Sequence, residues 1–396
     1  MADAGAPTGS GGRYFPRKMP LPSPAVPLKC IPVPSPTPPP PATPPTLREI
    51  ARRAGVSHTT VSLSLRHDPS IPASTRRRVR LIADELGYHS NLLVAALMTQ
   101  VRLKHQKSVP EVVGFLNGGP TADEWLHHSA CLGFYEGARQ QAPRLGMRVE
   151  PFWLGPGGAS AAATCRTLRA RAIRGVLIAP FPVPVYDHEL DWSRLICVGL
   201  GYVFKDHPLH RATHNHFHGA FTAYQNLVRL GYRRIGLILE SSQNSRVGFI
   251  WLGGYLAAQN MMAGVRLDPL LTPEPADLAA VKAWVRRQRP DAVIGFGPKQ
   301  YMALNRVGYR IPQDLAFAAL DVEQMHLASV EEPSGINQNL PQVGATAVDI
   351  LATQLCHNEQ GYPEHPVLSM IEGSWVEGRT ALPHRSAQSR PAVARA

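Results

Sequence analysis

The fold is constrained most by an alternation of short apolar runs and longer amphipathic segments, which begins near Val109 and continues to about residue 320. Strands that alternate with helices in this way form parallel sheets covered by helices on both faces. Ligands of such folds bind in a crevice at the carboxyl ends of the strands. We therefore expect an α/β domain over residues 109–380. Its candidate strands are Val112–Leu116, Arg148–Trp153, Gly175–Ala179, Leu195–Gly199, Ile235–Leu239, Ala292–Phe296 and Leu315–Leu320.

The two ends of the chain have the composition of disordered tails. Residues 1–45 contain fifteen prolines, many in X-Pro repeats, so this segment cannot form a helix or a packed core. It could bind a partner that recognises polyproline, or it could be a passive tail. We expect residues 381–396 to be disordered as well.

The net charge of +12 is concentrated in one short part of the 396-residue chain. Residues 46–108 carry eleven Lys and Arg against four Asp and Glu. Such a concentration is typical of a surface that binds a polyanion, because each neutralised phosphate releases condensed counterions. A merely solvated basic face is the alternative that charge alone leaves open.

Targeting and redox features point to a reducing compartment. The sequence has no run of eighteen apolar residues and no continuous apolar segment at its N-terminus, so we expect neither a transmembrane helix nor a secretory signal. Its five cysteines are widely spaced and form no C-x-x-C pair, which argues against a disulfide framework or a thiolate metal site. We therefore expect a cytoplasmic protein.

A capping box marks the start of the ordered chain at Thr46, where the Thr hydroxyl and the Glu49 carboxylate can each cap a backbone amide. The apolar spacing predicts a first helix over Leu47–Ala54 and a second from about Ser57 to Leu65. A third helix is expected over about Ala73–Leu86. Residues 46–86 should therefore form a small all-α unit.

The first two of these helices have the spacing of a helix-turn-helix. Ala51 is small enough for the point where the helices cross, Gly55 lies in the turn, and Val61 can pack beneath the first helix. This arrangement leaves one face of the second helix free to enter a DNA major groove. The exposed positions on that face are His58, Thr59, Ser62 and Leu63.

Residues 46–98 resemble the headpiece of the lactose-repressor family through the segments LREIARRAGVS (47–57), TVS (60–62) and ELGY (85–88). The resemblance continues over residues 109–380. It is carried there by VVGFL (112–116), RGVLIAP (174–180), LGYRRIGLI (230–238) and GYRIPQDL (308–315). The resemblance implies an all-α helix-turn-helix headpiece followed by a two-lobed α/β sensor of the periplasmic-binding-protein-like type I fold.

The resemblance also implies a function. A homodimer would place two headpieces on a pseudo-palindromic operator in double-stranded DNA, with the second helix of each headpiece in the major groove. A small-molecule effector, such as a carbohydrate or a related metabolite, would bind between the lobes and control operator affinity, and the resemblance implies a repressor. No cofactor and no membrane partner are implied.

The family's DNA contacts can be carried over to matching positions of this chain. His58, Thr59 and Leu63 fall where base choice is set. Contacts to the DNA backbone are implied for Ser57, Thr60, Arg66, Ser70, Thr75 and Tyr88.

The segment that follows the headpiece resembles the family's hinge helix, over Asn91–Met98. Asn91 is implied as a DNA contact, and Leu97 as a wedge that enters the minor groove and bends the duplex. Val94 and Ala95 depart from the small and basic residues usual at those two positions. Residues 99–108 would form a linker to the sensor.

The sensor would consist of two lobes joined by three crossing segments. We expect the first lobe over about residues 109–206, with a return of the chain at 325–342. The second lobe is expected over about 207–324 and 343–380.

Candidate effector ligands follow from the resemblance as well. The Asp321 carboxylate could accept hydrogen bonds from paired sugar hydroxyls, and Trp125 could stack on a ligand. Trp251 stands where an Arg is common, and Arg246 lies nearby in the sequence. Asn215 stands where an Asp is common. Lys299-Gln300 replaces the usual Asn-Asp, so the ligand could differ from a simple sugar.

A histidine-rich stretch offers an alternative to be weighed. His214, His216 and His218 alternate, so their side chains could converge on a metal at one side of a strand. No Cys, Asp or Glu accompanies them closely, and the stretch matches an ordinary loop of the family. We therefore expect no metal site here.

Other classes of function have less support in the sequence. It lacks a G-x-S-x-G elbow, a phosphate-binding P-loop and an H-E-x-x-H helix, so we do not expect an enzyme. A binding protein of the periplasmic type with no role in gene control is the remaining alternative. The absence of a signal peptide and the presence of a headpiece disfavour it.

Overall fold

The computed structural model describes residues 46–65, 68, 70–88, 110–155, 158–180, 190–203, 207–273 and 277–384. The Pro-rich tail and the hinge and linker segments predicted for residues 91–108 lie outside these ranges.

The headpiece is a bundle of three helices: α1 (Leu47–Ala54), α2 (His58–Leu65) and α3 (Ala73–Glu85). The amide of Glu49 donates to the Thr46 hydroxyl over 3.4 Å, so the predicted N-cap forms. Gly55 ends α1 in the left-handed region at φ 63°, which a side chain would strain. The core of the bundle consists of Ile50, Ala51, Ala54, Val61, Val79 and Ala83. The three predicted helices are therefore confirmed.

Two six-stranded sheets form the rest of the fold. The strands are β1 (Glu111–Gly118), β2 (Met147–Leu154), β3 (Gly175–Ile178), β4 (Ile196–Leu200), β5 (His210–His214), β6 (Ile235–Glu240), β7 (Leu270–Thr272), β8 (Ala292–Gly295), β9 (Ala316–Ala319), β10 (Gly335–Asn337), β11 (Leu368–Ile371) and β12 (Ser374–Val376). All seven predicted strands are confirmed, and β5, β7, β10, β11 and β12 are additional.

Nine α-helices accompany the strands within the described part of the sensor. They are α4 (Ser129–Gln141), α5 (Ala161–Ala170), α6 (His216–Arg229), α7 (Ser241–Arg246), α8 (Ile250–Met261), α9 (Leu278–Gln288), α10 (Pro298–Arg306), α11 (Val322–Leu327) and α12 (Leu340–His357). Short 3₁₀ turns lie at Glu124–His127, Ala142–Leu145 and Trp192–Arg194.

Strand pairing divides the sensor into two lobes. The first sheet has the order β11-β5-β4-β3-β1-β2 and is parallel throughout. The second has the order β12-β10-β9-β8-β6-β7, in which only β12 runs antiparallel to its neighbour. Apolar clusters cover both faces of each sheet, as expected for strands flanked by helices.

The chain crosses between the lobes three times: after β5, after β10 and after β11. Lobe one therefore comprises about residues 111–214 and 340–371, and lobe two comprises 216–337 and 374–384. The predicted number of crossings is right, but the predicted limits are wrong. Residues 207–214 belong to lobe one, and the return of the chain begins with α12 at Leu340 rather than at residue 325.

The position of α12 is fixed by glycines that let helix backbones approach closely. A Cβ atom on Gly137 of α4 would overlap the Pro341 carbonyl oxygen of α12, and one on Gly344 of α12 would overlap the Phe134 carbonyl oxygen. Because no side chain fits between the two helices, α4 and α12 pack as one layer on the first sheet.

We expect Gly137→Ala to lower the midpoint of thermal unfolding, because the new methyl group must displace a backbone carbonyl. Overpacking of this kind costs about 2 kcal/mol, which corresponds to roughly 4–8 °C in a domain of this size. The matched control is Gly253→Ala on α8, where an added Cβ would have only Phe217 Cδ2 nearby, at 3.9 Å. An equal midpoint for the two variants would contradict the close packing of α4 on α12.

Candidate functional site

The exposed face of the headpiece is formed by the start of α2. Ser57 caps this helix: its hydroxyl accepts from the Thr60 amide over 3.1 Å and lies 2.8 Å from the Thr60 hydroxyl. His58 and Thr59 are exposed in the first turn, and Leu63, one turn after Thr59, is half-buried. The start of a helix carries a partial positive charge, and the two polar side chains of His58 and Thr59 are exposed there.

Other predicted DNA contacts lie around this face or support it. The Ser70 amide and hydroxyl both donate to the Asp68 carboxylate, over 2.9 and 2.6 Å. Thr75 is half-buried in the first turn of α3, and Tyr88 packs on the bundle core. Arg66, Asn91 and Leu97 lie outside the described residues.

Between the lobes is a second candidate site, a cavity of about 40 Å³. Lobe one lines it with the start of α4, the end of β5 and the turns after β3 and β4. Lobe two lines it with the start of α6, with α7 and α8, and with the segments after β8, β9 and β10. The lining residues are Ala130, Phe134, Pro180, Gly201, Tyr202, Thr213, His214, His216, Arg246, Trp251, Phe296, Asp321 and Gln338.

The Asp321 carboxylate is buried in this cavity, with only 1% of the residue exposed, and each of its two oxygens accepts a hydrogen bond. Its Oδ1 accepts from the Gln324 amide over 2.9 Å and so caps α11. Its Oδ2 accepts from the Ser129 hydroxyl over 2.6 Å, across the cleft. A second bond across the cleft runs from the Ser129 amide to Gln324 Oε1 over 3.1 Å.

Burial shifts the protonation of the acidic groups beside this contact. It raises the pKa of Asp321, against the effect of the Ser129 hydroxyl, which favours the charged form. Burial and the neighbouring charge of Asp321 raise the pKa of Glu323 to about 7. A carboxyl group at the edge of the cleft therefore titrates near neutral pH.

Basic groups of the cleft are shifted in the opposite direction. Burial lowers the pKa of His214 to about 4 and that of His216 well below its ordinary value, so both imidazoles are neutral. Removal of water by the surrounding protein lowers the pKa of Arg246 as well, although the residue as a whole is exposed. Arg246 stays charged because its ordinary value is so high.

Two family models match the chain. One, described as bacterial regulatory proteins of the lacI family, matches residues 46–91, and the other, a periplasmic binding protein-like domain, matches residues 224–381. The first covers the helix-turn-helix and the second covers most of lobe two together with α12. The chain therefore combines a headpiece of the lacI family with a periplasmic binding protein-like domain.

Individual relatives of this chain are distant but cover most of its length. The HTH-type transcriptional repressor PurR of Edwardsiella ictaluri (strain 93-146) is 23% identical over 365 residues, which cover 84% of this chain and 99% of the relative. A solved complex of the regulator CelR with cellobiose superposes with a TM-score of 0.54 at 20% identity, over 85% of this chain and 99% of that one. The lac repressor dimer bound to operator and the anti-inducer ONPF gives a TM-score of 0.50 at 19% identity, over 86% and 100% of the two chains. These structures share the predicted two-lobed fold.

Three of the five predicted effector residues line the cavity: Arg246, Trp251 and Asp321. Trp125 does not, because it is buried in lobe one against Phe115 and Tyr135, with ring centroids 5.7 and 5.0 Å away. Asn215 does not line it either.

The polar side chain of Asn215 has a structural role instead, because its oxygen accepts from the His218 amide over 3.1 Å and caps α6. In the same segment, His214 ends β5, while His216 and His218 lie in the first turn of α6. The metal alternative gains no support: among the described residues, no three His, Cys, Asp or Glu side chains are placed to hold a metal ion.

Several residues of the cavity were not predicted from the sequence. Tyr202 and Phe296 follow the carboxyl ends of β4 and β8, which is a signal that could have identified them. Ser129 carried no signal, because its importance comes from a carboxylate 192 residues further along the chain.

Within the described residues, no helix combines the length and the apolar composition needed to span a membrane.

We expect Ser129→Ala to loosen the contact between the lobes. The substitution leaves Asp321 Oδ2 buried without its partner, at a cost of about 1–3 kcal/mol. Hydrogen exchange should therefore accelerate in α11, which belongs to the opposite lobe. The control is Ser160→Ala, which removes the cap that Ser160 provides to Ala163 in α5, so that its effect should stay within α5. Unchanged exchange in α11 of the Ser129 variant would contradict a bond across the cleft.

The raised pKa of Glu323 predicts a pH dependence of stability. Its ordinary value is 4.5, so the folded protein binds more protons than the unfolded chain between that value and about 7. Glu323 therefore stabilises the folded protein at low pH, and this contribution is lost as the pH rises from 4.5 to about 7. Glu323→Gln should reduce the fall in melting temperature between about pH 5 and about pH 7.5, whereas the exposed-site variant Glu331→Gln should not. Equal pH profiles for all three proteins would overturn the prediction.

Proposed function

We propose that this protein is a sequence-specific DNA-binding transcriptional repressor whose operator affinity is controlled by a small molecule bound between its lobes. The observation that carries the proposal is the headpiece. Its α2 presents His58 and Thr59 at the exposed start of a capped helix, within the segment that the lacI family model matches.

The proposed base contacts are made by His58, Thr59 and Leu63. The imidazole and hydroxyl can donate or accept at base edges, whereas Leu63 can offer an apolar contact to a thymine methyl group. The proposed DNA backbone contacts are those of Ser57, Thr60, Arg66, Ser70, Thr75, Tyr88 and Asn91. Leu97 is proposed to enter the minor groove.

The proposed organisation follows from the need to place two headpieces on one operator. The headpiece would extend over residues 46–98 with its hinge helix, and residues 99–108 would connect it to the sensor. A homodimer would present two copies of α2 to major grooves about one helical turn apart, which matches a pseudo-palindromic site.

Control by an effector is supported by the three crossing segments, which are the covalent links between the lobes. A ligand that prefers one angle between the lobes shifts the population toward that angle, and so changes how the dimer presents its headpieces. A relative with cellobiose bound supports a small-molecule effector in this cleft.

The same comparison supports a regulator rather than an enzyme, because relatives that span both domains are named as repressors. We propose that the protein acts in the cytoplasm, where its DNA target is accessible, and that it has no catalytic activity.

The test is selection of binding sites from random duplex DNA with the full-length protein, followed by titration of the best site. We expect a pseudo-palindrome, with an affinity that falls by roughly 10³–10⁵ between 50 and 200 mM salt if each dimer neutralises about 6–10 phosphates. His58→Ala should weaken the selected site by about tenfold or more and leave binding to unrelated DNA unchanged. Lys282→Ala, on the exposed face of α9, is the control and should bind like the parent protein.

A selection that yields no sequence preference would overturn the proposal of a specific repressor. Retention of ligand binding in that case would favour a small-molecule-binding protein without a role in gene control.

A further inference from the structure

The cleft cavity is walled by flat aromatic rings from both lobes. The Trp251 ring lies 5.2 Å from that of Phe296 and 4.7 Å from that of His216, and Tyr202 of lobe one lies 5.6 Å from His216. Phe134 of α4 adds a further ring to the lining. Surfaces of this kind favour a planar, largely apolar ligand that can stack between them.

The charges that line the cavity are one guanidinium and one carboxylate, of Arg246 and Asp321. Both oxygens of Asp321 already accept hydrogen bonds, from Ser129 and from the Gln324 amide. Arg246, by contrast, has neither an ion pair nor a hydrogen bond with any residue that the structure describes. In this arrangement the cavity therefore offers an unpaired positive charge, while its carboxylate already has two hydrogen-bond partners.

A further buried acidic residue of lobe two does not change this balance. Glu240, at the end of β6, is buried and forms an ion pair with Lys299 Nζ over 3.5 Å. Its Oε1 also accepts from Gln300 Nε2 over 3.5 Å. Glu240 is therefore paired with Lys299 and does not line the cavity. It does not neutralise the charge of Arg246, which can pair with a ligand.

Two buried imidazoles of the lining add unused hydrogen-bonding capacity. His214 and His216 are 2% and 8% exposed, and the Nδ1 atom of each has no partner among the described residues. Buried polar atoms in native proteins are nearly always paired with protein, water or ligand. A neutral imidazole has one donor and one acceptor nitrogen, so each ring can offer its Nδ1 atom to a polar group of a ligand.

We propose that the effector is a small aromatic carboxylate, whose anionic group pairs with Arg246 and whose ring stacks among Trp251, Phe296 and Tyr202. This inference rests on the proposed function, because it assigns the chemical class of the ligand that occupies the regulatory cleft.

The balance of charge separates this class from the alternatives. A sugar carries no charge, so it would leave the Arg246 guanidinium of the lining without a counterion. A guanidinium pairs with a carboxylate through two parallel hydrogen bonds. A phosphate ester carries nearly two negative charges, and the cavity lining offers only one cation to balance them.

Binding requires the lobes to separate. The cavity of about 40 Å³ is far smaller than the roughly 300–1,000 Å³ of ordinary ligand pockets. The bonds from Ser129 to Asp321 and Gln324 hold this closed arrangement, so a ligand ring must part them. A ligand of this class would therefore change the angle between the lobes, as an effector must.

The experiment uses the full-length protein and titrates it calorimetrically with benzoate and 4-hydroxybenzoate. Benzamide, phenyl phosphate, cellobiose and ribose serve as comparison probes. We expect the two carboxylates to bind at least about tenfold more tightly than benzamide, which has the same shape without the charge. We also expect them to change the affinity for the selected operator, and the two sugars to have no effect.

Variants of the cation provide the second readout. Arg246→Gln should weaken carboxylate binding about tenfold or more without lowering the melting temperature, and Arg246→Lys should bind with intermediate affinity, because it keeps the charge but loses the paired donors. The matched control is Arg266→Gln, which removes one exposed positive charge from lobe two and should bind like the parent protein.

Three results would overturn the inference: equal binding of benzoate and benzamide, binding of a sugar or phenyl phosphate in preference to the carboxylates, or no carboxylate binding at millimolar concentrations. Equal carboxylate affinity in Arg246→Gln would overturn it too. Operator binding measured without ligand on the same preparations separates the two proposals. If the protein binds the operator specifically but does not bind the carboxylates, only the proposed effector class is wrong. If it binds the carboxylates but shows no specific operator binding, the proposed repressor function is wrong.

Discussion

The bond from Ser129 to Asp321 joins two sheets that share no strand, and the closed form of the sensor depends on it. A buried carboxylate is costly unless its oxygens are hydrogen-bonded. One oxygen of Asp321 is used to cap α11 within its own lobe, and the other is satisfied only if lobe one approaches. Lobe closure and the hydration of Asp321 are therefore coupled, because opening the cleft exchanges the Ser129 hydroxyl for water or for a ligand.

The same cleft contains the three crossing segments, so that a ligand acts directly beside the hinge. His214 lies at the first crossing, and its ring packs against the positions of Gly219 and Gly373, where an added Cβ would approach within 2.7 and 2.8 Å. Gln338, at the second crossing, donates to the Leu320 carbonyl over 2.8 Å. The hinge is thus tightly packed, which favours two discrete lobe arrangements over a continuous range.

Local sequence signals predicted much of the fold correctly. The cap at Thr46, the glycine turn at Gly55 and the seven apolar runs each depend on neighbouring residues, so they could be read from the sequence alone. The helix α12 was missed although its buried stripe at Leu340, Val343, Ala347 and Leu351 has helical spacing. That omission led to wrong lobe limits, since the return of the chain to lobe one begins with this helix.

The sequence by itself determined the class of the protein: an all-α headpiece, an α/β sensor and a face of α2 with polar side chains. These features follow from periodicity, caps and turns, which act over a few residues. Only the tertiary structure decided that Trp125 is a core residue, that Asn215 caps a helix, and that Asp321 already has its partner in Ser129. The direction of a side chain and the identity of a distant partner depend on how separate elements pack, and no local pattern carries that information.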